Sequence, residues 1–465
     1  MLDFYHKYYN NRFLAKCREL SRELTYVLSL RDIKPLVASE VVIDKKYQEV
    51  LGNELFSKLN NFYYTIEAGL SEDAFFSRYL DKKRRLDNDA DFLFADFFCG
   101  AGGLSEGISQ AGFTPAFVND HNKSALETYY FNHKLPLDNF FGGDIEELTT
   151  ELDSFRHLFQ NIRLVAGGPP CQGFSMANRQ PLKDDPRNSL YRFYLTMISV
   201  IRPDWFIMEN VKGMKNKEAE IEGDIRKIAG KEYEFFPMVL NAKDFGIPQN
   251  RERYFLIGNR IGISPLEMQM KFNVISNGYK PYVLSDALFG LPEISTNPHI
   301  NSSHIDSEKH GYTIRDFKIS GNEYLSDINS GREVEYLMNH KSRYNNDNDI
   351  EIFSRLQPGE DSTAESIQDI LKYKNRKDIF KDKYKKLRSD EICKTITSHM
   401  RLDCHMYIHP TQARGLSPRE AARVQTFPDD YFFRGSLNDW YYQIGNAVPV
   451  KLAKIIATTI KSFYT

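Results

Sequence analysis

The sequence lacks several features that would place the protein in common classes. No stretch approaches the roughly 20 apolar residues of a membrane-spanning helix, and no basic, apolar N-terminal run resembles a secretion signal. The five cysteines form no CxxC pair, which argues against a disulfide framework or a metal site. The net charge is only −2, so any contact with nucleic acid must use a local basic surface. We therefore expect a cytoplasmic protein without membrane contact or bound metal.

The chain does contain a clear alternation of short apolar runs and amphipathic segments. Up to residue 89, leucines such as Leu20, Leu24 and Leu28 recur at helical spacing. From Asp91 onward the apolar runs are FLFADFF, PAFVN, IRLVAG, WFIMEN, YEFFPMVL and RYFLIG. Such alternation is typical of an α/β fold in which helices cover a parallel sheet.

The alternation stops after about Arg260, where the sequence becomes rich in Asn, Ser, Asp and Lys. A helical pattern returns near the C-terminus. We therefore divide the chain into a helical N-terminal extension (1–89), an α/β domain (90–275), a smaller irregular domain (276–438) and a segment that completes the α/β domain (439–465).

The first apolar run leads into a glycine-rich turn, DFFCGAGGLSEG. Gly100, Gly102 and Gly103 let a ligand approach the backbone, and the following helix start offers free amides to a carboxylate or phosphate. Ser105 stands where the dinucleotide fingerprint requires a third glycine, which argues against NAD. Asp120 ends the second run, where it could accept hydrogen bonds from ribose hydroxyls.

Two further motifs end at the same expected sheet edge. GGPPCQGFS places Cys171 after the third run, in a loop stiffened by two prolines, where its thiolate could act as a nucleophile. Glu209 closes the fourth run, and an acid beside a nucleophile suits attack on a heteroaromatic ring. Taken singly, Cys171 is more typical of a small buried side chain and Glu209 of a carboxylate at a helix start.

Three other segments contain arginine, lysine or turn residues of interest. Arg251 and Arg253 in QNRER should lie on one side of an extended segment, either to bind carboxylates or phosphates or to form structural ion pairs. The stretch Lys372–Arg388 holds nine Lys or Arg against two Asp and suits either phosphate contact or a solvated helix face. Near the C-terminus, SPREAARVQTFPDDY begins with a helix cap at Ser417, and QIGNAVPV places a polar turn before the last helix.

In this order, the PPC loop, ENV, QNRER, REAARVQTFP and GNAVP resemble the DNA (cytosine-5) methyltransferase family, from about Asp91 to Tyr464. The resemblance implies a Rossmann-like fold that binds S-adenosylmethionine, with a smaller target-recognition domain. It implies that Cys171 attacks carbon 6 of a cytosine flipped out of duplex DNA, that Glu209 protonates nitrogen 3, and that Arg253 holds the cytosine carbonyl. Arg251 would assist, facing the phosphate backbone.

The same resemblance assigns the cofactor and DNA contacts. The cofactor contacts are Phe98, Gly100, Gly102, Gly103, Leu104, Asp120, Asp144, Ile145, Pro170, Leu190 and Asn446. The DNA contacts are Gln172 and Ser175 in the cysteine loop, with Lys372, Lys374, Lys383, Lys385 and Arg388 in the basic stretch. The family usually has Glu at the position of Asp120, so this carboxylate reaches one carbon less far.

The expected enzyme is a bacterial, nucleoid-associated monomer of a restriction-modification system, acting separately from any cognate endonuclease. Two alternatives stay open: a transfer RNA cytosine-5 methyltransferase, and a catalytically idle DNA-binding protein with the same fold. Neither the recognised DNA sequence nor the role of residues 1–89 follows from the motifs.

Overall fold

The computed structural model describes residues 92–133, 135–136, 139–170, 190–297, 306–318, 320–371 and 383–464. The expected N-terminal extension, Cys171, Gln172, Ser175, Lys372 and Lys374 lie outside these residues. The chain divides into two compact units, one of Met1–Asn88 with Lys134–Gly142 and one of Asp89–His133 with Gly143–Thr465. In the described part, no helix is long and apolar enough to cross a membrane.

The described residues form eleven strands. They are β1 (Leu93–Phe97), β2 (Thr114–Asp120), β3 (Phe140–Gly142), β4 (Ile162–Gly167), β5 (Trp205–Val211), β6 (Glu234–Asn241), β7 (Gln249–Asn250), β8 (Glu252–Asn259), β9 (Gly311–Asp316), β10 (Tyr336–Lys341) and β11 (Cys393–Lys394). The six apolar runs of the sequence correspond to β1, β2, β4, β5, β6 and β8. In the larger unit, these six strands lie side by side in the order β2-β1-β4-β5-β8-β6.

The sheet is parallel from β2 to β5, but β8 runs antiparallel to both β5 and β6. The parallel sheet expected from the alternation thus extends from β2 to β5, whereas the last apolar run, RYFLIG, forms β8, which runs antiparallel to both of its neighbours. The connection from β6 to β8 spans only residues 242–251, and a parallel crossover needs a dozen residues or more, usually with a helix. The short connection turns the chain back on itself, and β8 is inserted between β5 and β6.

The helices alternate with the strands in the first half of the chain. They are α1 (Gly103–Gln110), α2 (Lys123–Asn132), α3 (Ile145–Thr150), α4 (Leu152–Phe155), α5 (Leu190–Ile201), α6 (Glu218–Ile228), α7 (Pro265–Ile275), α8 (Leu284–Leu288), α9 (Glu323–Ile328), α10 (Asp347–Arg355), α11 (Pro418–Val424), α12 (Leu437–Asn446) and α13 (Val450–Lys461). Short 3₁₀ turns join several of them.

A first core, which we call the sheet core, lies between the sheet and helices α1, α7 and α13. Its apolar members include Phe94, Leu164, Ile207, Ile257 and Ile456. Helix α13 approaches α1 so closely that a Cβ atom at Gly107 would come within 2.3 Å of the Val450 carbonyl oxygen. The C-terminal segment thus packs onto the helix that follows the glycine turn.

A second core, which we call the clasped core, lies within the region between Tyr282 and Val450. It joins apolar side chains such as Leu284, Tyr324 and Tyr441 around α11 and α12, and it also includes Ala101 of the glycine turn. Arg414, Arg419 and Arg423 are fully buried beside it. The boundaries expected at 275/276 and 438/439 fall inside one compact unit and stay predictions.

Candidate active site

The turn after β1 has an unusual backbone, with three residues in the left-handed region. Phe98 has φ of 59°, Gly100 of 53° and Gly102 of 85°. A left-handed phenylalanine is strained, and such strain concentrates at functional sites. A Cβ atom added at Gly100 would meet no described atom within 4 Å, so the backbone there faces open space. Phe98 is half-buried at the edge of the same space.

The other two glycines of the turn are close-packed. A Cβ atom at Gly102 would come within 2.7 Å of both His133 and the Tyr431 hydroxyl, and one at Gly103 within 2.8 Å of the Val448 carbonyl. Leu104 is buried in the sheet core. Of the residues expected at the cofactor, Gly100 is therefore suited to direct contact, while Gly102, Gly103 and Leu104 shape the turn from beneath.

The end of β2 holds the turn in place. The Asp120 carboxylate accepts hydrogen bonds from the backbone N–H of Gly100 (2.8 Å) and of Asn122 (2.7 Å), and the Cys99 N–H donates to the Asn119 carbonyl (3.0 Å). Burial raises the pKa of Asp120, while the amide donors oppose the shift. Asp120 thus braces the glycine turn, a role that sequence reasoning did not include.

A third loop meets the other two at this edge. The Asn119 side chain donates to the Gly143 carbonyl (2.8 Å), and the Gly143 N–H donates to the Asp120 carbonyl (3.1 Å). Asp144 follows, exposed and directly before α3, and Ile145 is buried. The structure therefore brings the expected ribose and adenine contacts together beside the glycine turn.

A buried polar chain lies behind the turn. The Tyr129 hydroxyl donates to Ser105 (2.9 Å), and Ser105 donates to Asp96 Oδ2 (2.6 Å). Asp96 Oδ1 has no hydrogen-bond partner among the described residues, and burial raises the pKa of Asp96 to about 7. Sequence reasoning missed this group, although a carboxylate inside the apolar run FLFADFF was a signal that could have revealed it.

Glu209 lies at the end of β5, beside the start of the cysteine loop. A Cβ atom at Gly168 would lie 3.2 Å from Glu209 Oε2, and the neighbouring Asn210 side chain donates to the Pro169 carbonyl (2.9 Å). Pro170 is half-buried and is the last described residue before Cys171. The chain is therefore held next to Glu209 immediately before it reaches the cysteine.

Arg253 of β8 pairs with Glu209, with 3.0 Å between Arg253 Nε and Glu209 Oε1. Both side chains are mostly buried, at 17% and 13% exposure. Burial raises the pKa of Glu209, and the positive charges of Arg253 and Arg251 only partly oppose this shift. A carboxyl with a raised pKa, hydrogen-bonded to a guanidinium, can give a proton to a ring nitrogen.

Arg251, which the resemblance assigns to the phosphate backbone, lies in the protein interior instead. Its side chain is buried (1% exposed), and the guanidinium donates to the carbonyls of Ile396 (2.6 Å), Ala447 (2.8 Å) and Gly445 (3.2 Å). The residue lies between β7 and β8, where the chain leaves the two-stranded sheet of β7 and β11 for the large sheet. The two arginines of QNRER therefore point to different surroundings.

The remaining candidates lie farther along the chain. Leu190 begins α5 and is half-buried, and Asn446 is exposed at the end of α12. In the basic stretch, Arg388 pairs with Asp390 (2.6 Å) and Glu391 (3.0 Å), and Lys385 donates to the Gly359 carbonyl. Lys383 Nζ lies 5.4 Å from the centre of the Tyr384 ring. None of these contacts involves the glycine turn or Glu209.

Comparison with known proteins identifies the family of the chain. The family model for C-5 cytosine-specific DNA methylases matches residues 92–462. The chain is 30% identical over 425 residues to the Type II methyltransferase M.AgeI of Thalassovita gelatinovora, covering 79% of this chain and 98% of that protein. It is also 30% identical over 372 residues to M.FnuDI of Fusobacterium nucleatum, covering 79% and 94%.

A solved structure supports the fold. A protein described as a DNA modification methyltransferase encoded within an Escherichia coli prophage superimposes with a TM-score of 0.62 and 25% identity, covering 80% of this chain and 99% of that chain. The chain belongs to the C-5 cytosine-specific DNA methylase family and is a DNA cytosine-5 methyltransferase. The family, fold class and enzyme class expected from the motifs are thereby confirmed.

Proposed function

We propose that the protein transfers a methyl group from S-adenosylmethionine to carbon 5 of a flipped cytosine in a short duplex sequence, through a covalent bond to Cys171. The observation that carries the proposal is the Glu209–Arg253 pair (3.0 Å), in which burial raises the pKa of Glu209, at the start of the cysteine loop. The open backbone at Gly100 supplies the second half of such a site.

In the proposed reaction, the Cys171 thiolate forms a bond to carbon 6 of the cytosine ring. The electrons of the 5,6 double bond shift toward nitrogen 3, which takes a proton from Glu209, while Arg253 neutralises the carboxylate that remains. Carbon 5 would then take a methyl group from the sulfonium of the cofactor held by the glycine turn, and that sulfur would leave as a neutral thioether. A base removes the proton from carbon 5, the bond between sulfur and carbon 6 breaks, and Glu209 recovers its proton from nitrogen 3.

The residues at the glycine turn fit the proposed cofactor. S-adenosylmethionine supplies an electrophilic methyl group on a positively charged sulfonium. Phe98, whose backbone is strained, and the exposed Asp144 carboxylate lie at the open edge, with Asp120 between their loops. In the described part of the chain, no group of three or more His, Cys, Asp or Glu side chains could hold a metal ion.

The cytosine must leave the base stack before Cys171 can reach carbon 6, at a cost of a few kcal/mol that contacts in the site offset. We further propose that Lys383, Lys385 and Arg388 lie near phosphates, which position the duplex without specifying its sequence. The names of the relatives lead us to propose that methylation protects host DNA in a restriction-modification system, with any endonuclease acting as a separate protein.

The test is methyl transfer from tritiated S-adenosylmethionine to duplex DNA, with transfer RNA as a parallel substrate. We expect label on DNA alone, and bisulfite sequencing of DNA from expressing cells should then locate the methylated cytosine. Label on transfer RNA alone would replace this proposal with the RNA enzyme. Absence of label on both would favour the idle DNA-binding protein.

Two variants test the covalent route. Cys171→Ser should abolish transfer and leave cofactor affinity by calorimetry unchanged, whereas Cys404→Ser, in the clasped core, should retain transfer. Glu209→Gln keeps the shape of the side chain and removes its proton, so the rate should fall by about 10²-fold or more. Measurable turnover by Cys171→Ser would overturn the covalent mechanism.

A further inference from the structure

Arg251 lies at a junction of four chain segments. The junction includes its own segment after β7, Ile396 after β11, the end of α11 and the turn after α12. Its guanidinium reaches carbonyl oxygens of two of these segments, at Ile396, Gly445 and Ala447, over distances of 2.6 to 3.2 Å. Arg251 Nε has no hydrogen-bond partner among the described residues. The side chain is thus committed to carbonyls in the protein interior.

Helix α12 explains why a cation suits this place. The last carbonyls of any helix have no partner within the helix and carry the negative end of its dipole. Arg251 donates to Gly445 and Ala447, and Gln425 Nε2 donates to Ile444 (2.8 Å) and Ala447 (3.3 Å). Two side chains from elsewhere in the chain therefore cap the C-terminus of α12.

The two capping side chains are connected through a third. Gln249 Nε2 donates to Gln425 Oε1 (2.9 Å), and Gln249 Oε1 accepts from the Ile396 N–H (2.9 Å). Ile396 in turn gives its carbonyl to Arg251 (2.6 Å). We name Gln249, Arg251 and Gln425 the buried clasp. All three side chains are essentially inaccessible to solvent.

The buried clasp lies between the two halves of the proposed site. Asn446 is exposed and stands between Gly445 and Ala447, the two carbonyls that Arg251 holds. A Cβ atom at Gly445 would lie 2.1 Å from Ser398 N, so the turn has no room to shift toward the Thr397–Ser398 backbone. Two residues beyond Arg251, Arg253 pairs with Glu209. The segment from Arg251 to Arg253 thereby contacts both Glu209, where the target cytosine is proposed to bind, and the turn that carries Asn446.

We propose that Arg251 is a positioning residue, which caps α12 and fixes the Asn446 turn against the cofactor, and that it makes no contact with DNA. This inference rests on the proposed function, because it takes Asn446 as a cofactor contact. A phosphate contact would require the guanidinium to reach the surface. Leaving its present place would deprive the buried carbonyls of Ile396 and Gly445 of this donor, at a cost in desolvation, and would leave the Ala447 carbonyl with Gln425 alone.

The test compares Arg251→Lys with Gln425→Met, which removes the second cap and leaves the charge of Arg251 intact. Arg226→Lys, on the surface of α6, is the matched control. We expect both clasp variants to weaken cofactor binding, measured by calorimetry without DNA, by about tenfold, equivalent to one hydrogen bond to a charged group. The control should bind the cofactor as the wild type does.

DNA binding provides the readout that separates positioning from phosphate contact. For Arg251→Met, which removes the charge, we expect unchanged DNA affinity and an unchanged dependence of that affinity on salt, whereas loss of a phosphate contact would reduce the salt slope by about one. If the effect passes through Asn446, the double variant Arg251→Lys/Asn446→Ala should bind the cofactor no more weakly than Asn446→Ala alone.

Three outcomes would overturn the inference: unchanged cofactor affinity in both folded clasp variants, a reduced salt slope in Arg251→Met, or failure of both Arg251→Lys and Gln425→Met to fold. The last would assign the clasp to folding alone. Failure of the proposed function is distinguishable, because it would show in the wild type as a lack of cofactor binding or of methyl transfer.

Discussion

The sheet core and the clasped core are buried to a similar degree but are held together differently. In the sheet core, the backbone groups of β1, β4, β5 and β8 pair with one another, and the enclosed side chains are almost all apolar. In the clasped core, the backbone is irregular, and buried arginines donate to carbonyls and carboxylates. Arg419 alone reaches the carbonyls of Met338 (2.7 Å), Pro428 (3.0 Å) and Tyr431 (2.5 Å).

The difference follows from what an irregular backbone requires. Buried carbonyls that have no partner in a sheet or helix must find another donor, and a guanidinium offers five N–H groups at one place. A planar, permanently charged group can therefore fix several loops at once. The loops of the clasped core are accordingly held by a few polar side chains. Each of them donates hydrogen bonds to several backbone groups, which an apolar residue cannot do.

The largest expected effect on stability is from removing one of these buried arginines. Arg423 pairs with Asp429 (2.7 and 3.0 Å), both side chains being buried, and donates to the carbonyls of Ala287 and Phe289. Arg423→Met leaves Asp429 buried without its counter-ion, so we expect the free energy of unfolding to fall by about 3–5 kcal/mol. Urea denaturation followed by circular dichroism measures this change.

The double variant Arg423→Met/Asp429→Leu sharpens the result. It removes both charges, so it should recover part of the loss, although the two carbonyls stay without a donor. Arg226→Met on the surface of α6 is the control and should leave the denaturation midpoint nearly unchanged. If Arg423→Met proved as mild as the control, buried arginines would not be what stabilises the clasped core.

The same contrast explains how far the sequence could predict the structure. The strands of the sheet core were found because each is an apolar run, as IRLVAG at Ile162–Gly167 illustrates. The direction of β8 could not be predicted, because the direction of a strand leaves no periodic signal in the sequence. Arg251 looked like a surface residue, since a charged side chain is buried only when distant segments supply its partners. The roles of the site residues came from the resemblance and stay predictions, and Cys171 lies outside the described residues.

Asp96 is a polar exception inside the sheet core, and its effect should depend on pH. Its pKa is raised from 3.8 to about 7 by burial, so the folded state binds a proton that the unfolded state releases. Its contribution to stability is therefore fully present below about pH 4 and is lost as the pH rises through about 7. Relative to the wild type, Asp96→Asn should gain roughly 3 kcal/mol between pH 4 and pH 8.

Thermal denaturation of both proteins at several pH values measures this difference. Ser105→Ala is a useful companion, because it removes the hydrogen bond to Asp96 Oδ2 (2.6 Å) while leaving the carboxyl in place. We expect that companion to retain a pH-dependent stability. Parallel profiles for Asp96→Asn and the wild type would mean that Asp96 is charged in the folded protein.

A conservative truncation within the sheet core should have a smaller effect. Ile257 is buried in β8 and pairs with Ile207 on one side and Phe236 on the other. Ile257→Val removes one methylene without exposing a polar group, so we expect a loss of about 1 kcal/mol by urea denaturation. A loss as large as that of Arg423→Met would mean that apolar packing stabilises the sheet core as strongly as the buried arginines stabilise the clasped core.

The smallest effect on stability is expected where a salt bridge lies on the surface. Arg388 pairs with Asp390 and Glu391, but its side chain is 43% exposed, and solvent screens such pairs. Arg388→Ala should therefore leave the denaturation midpoint unchanged. If Arg388 lies near a phosphate in the complex, the same variant should lower the salt slope of DNA binding by about one, in contrast to Arg251→Met. The two arginines would then have different roles, since Arg388 would act on DNA without affecting stability and Arg251 would act on cofactor binding without touching DNA. Equal salt slopes for Arg388→Ala and the wild type would remove Arg388 from the DNA surface.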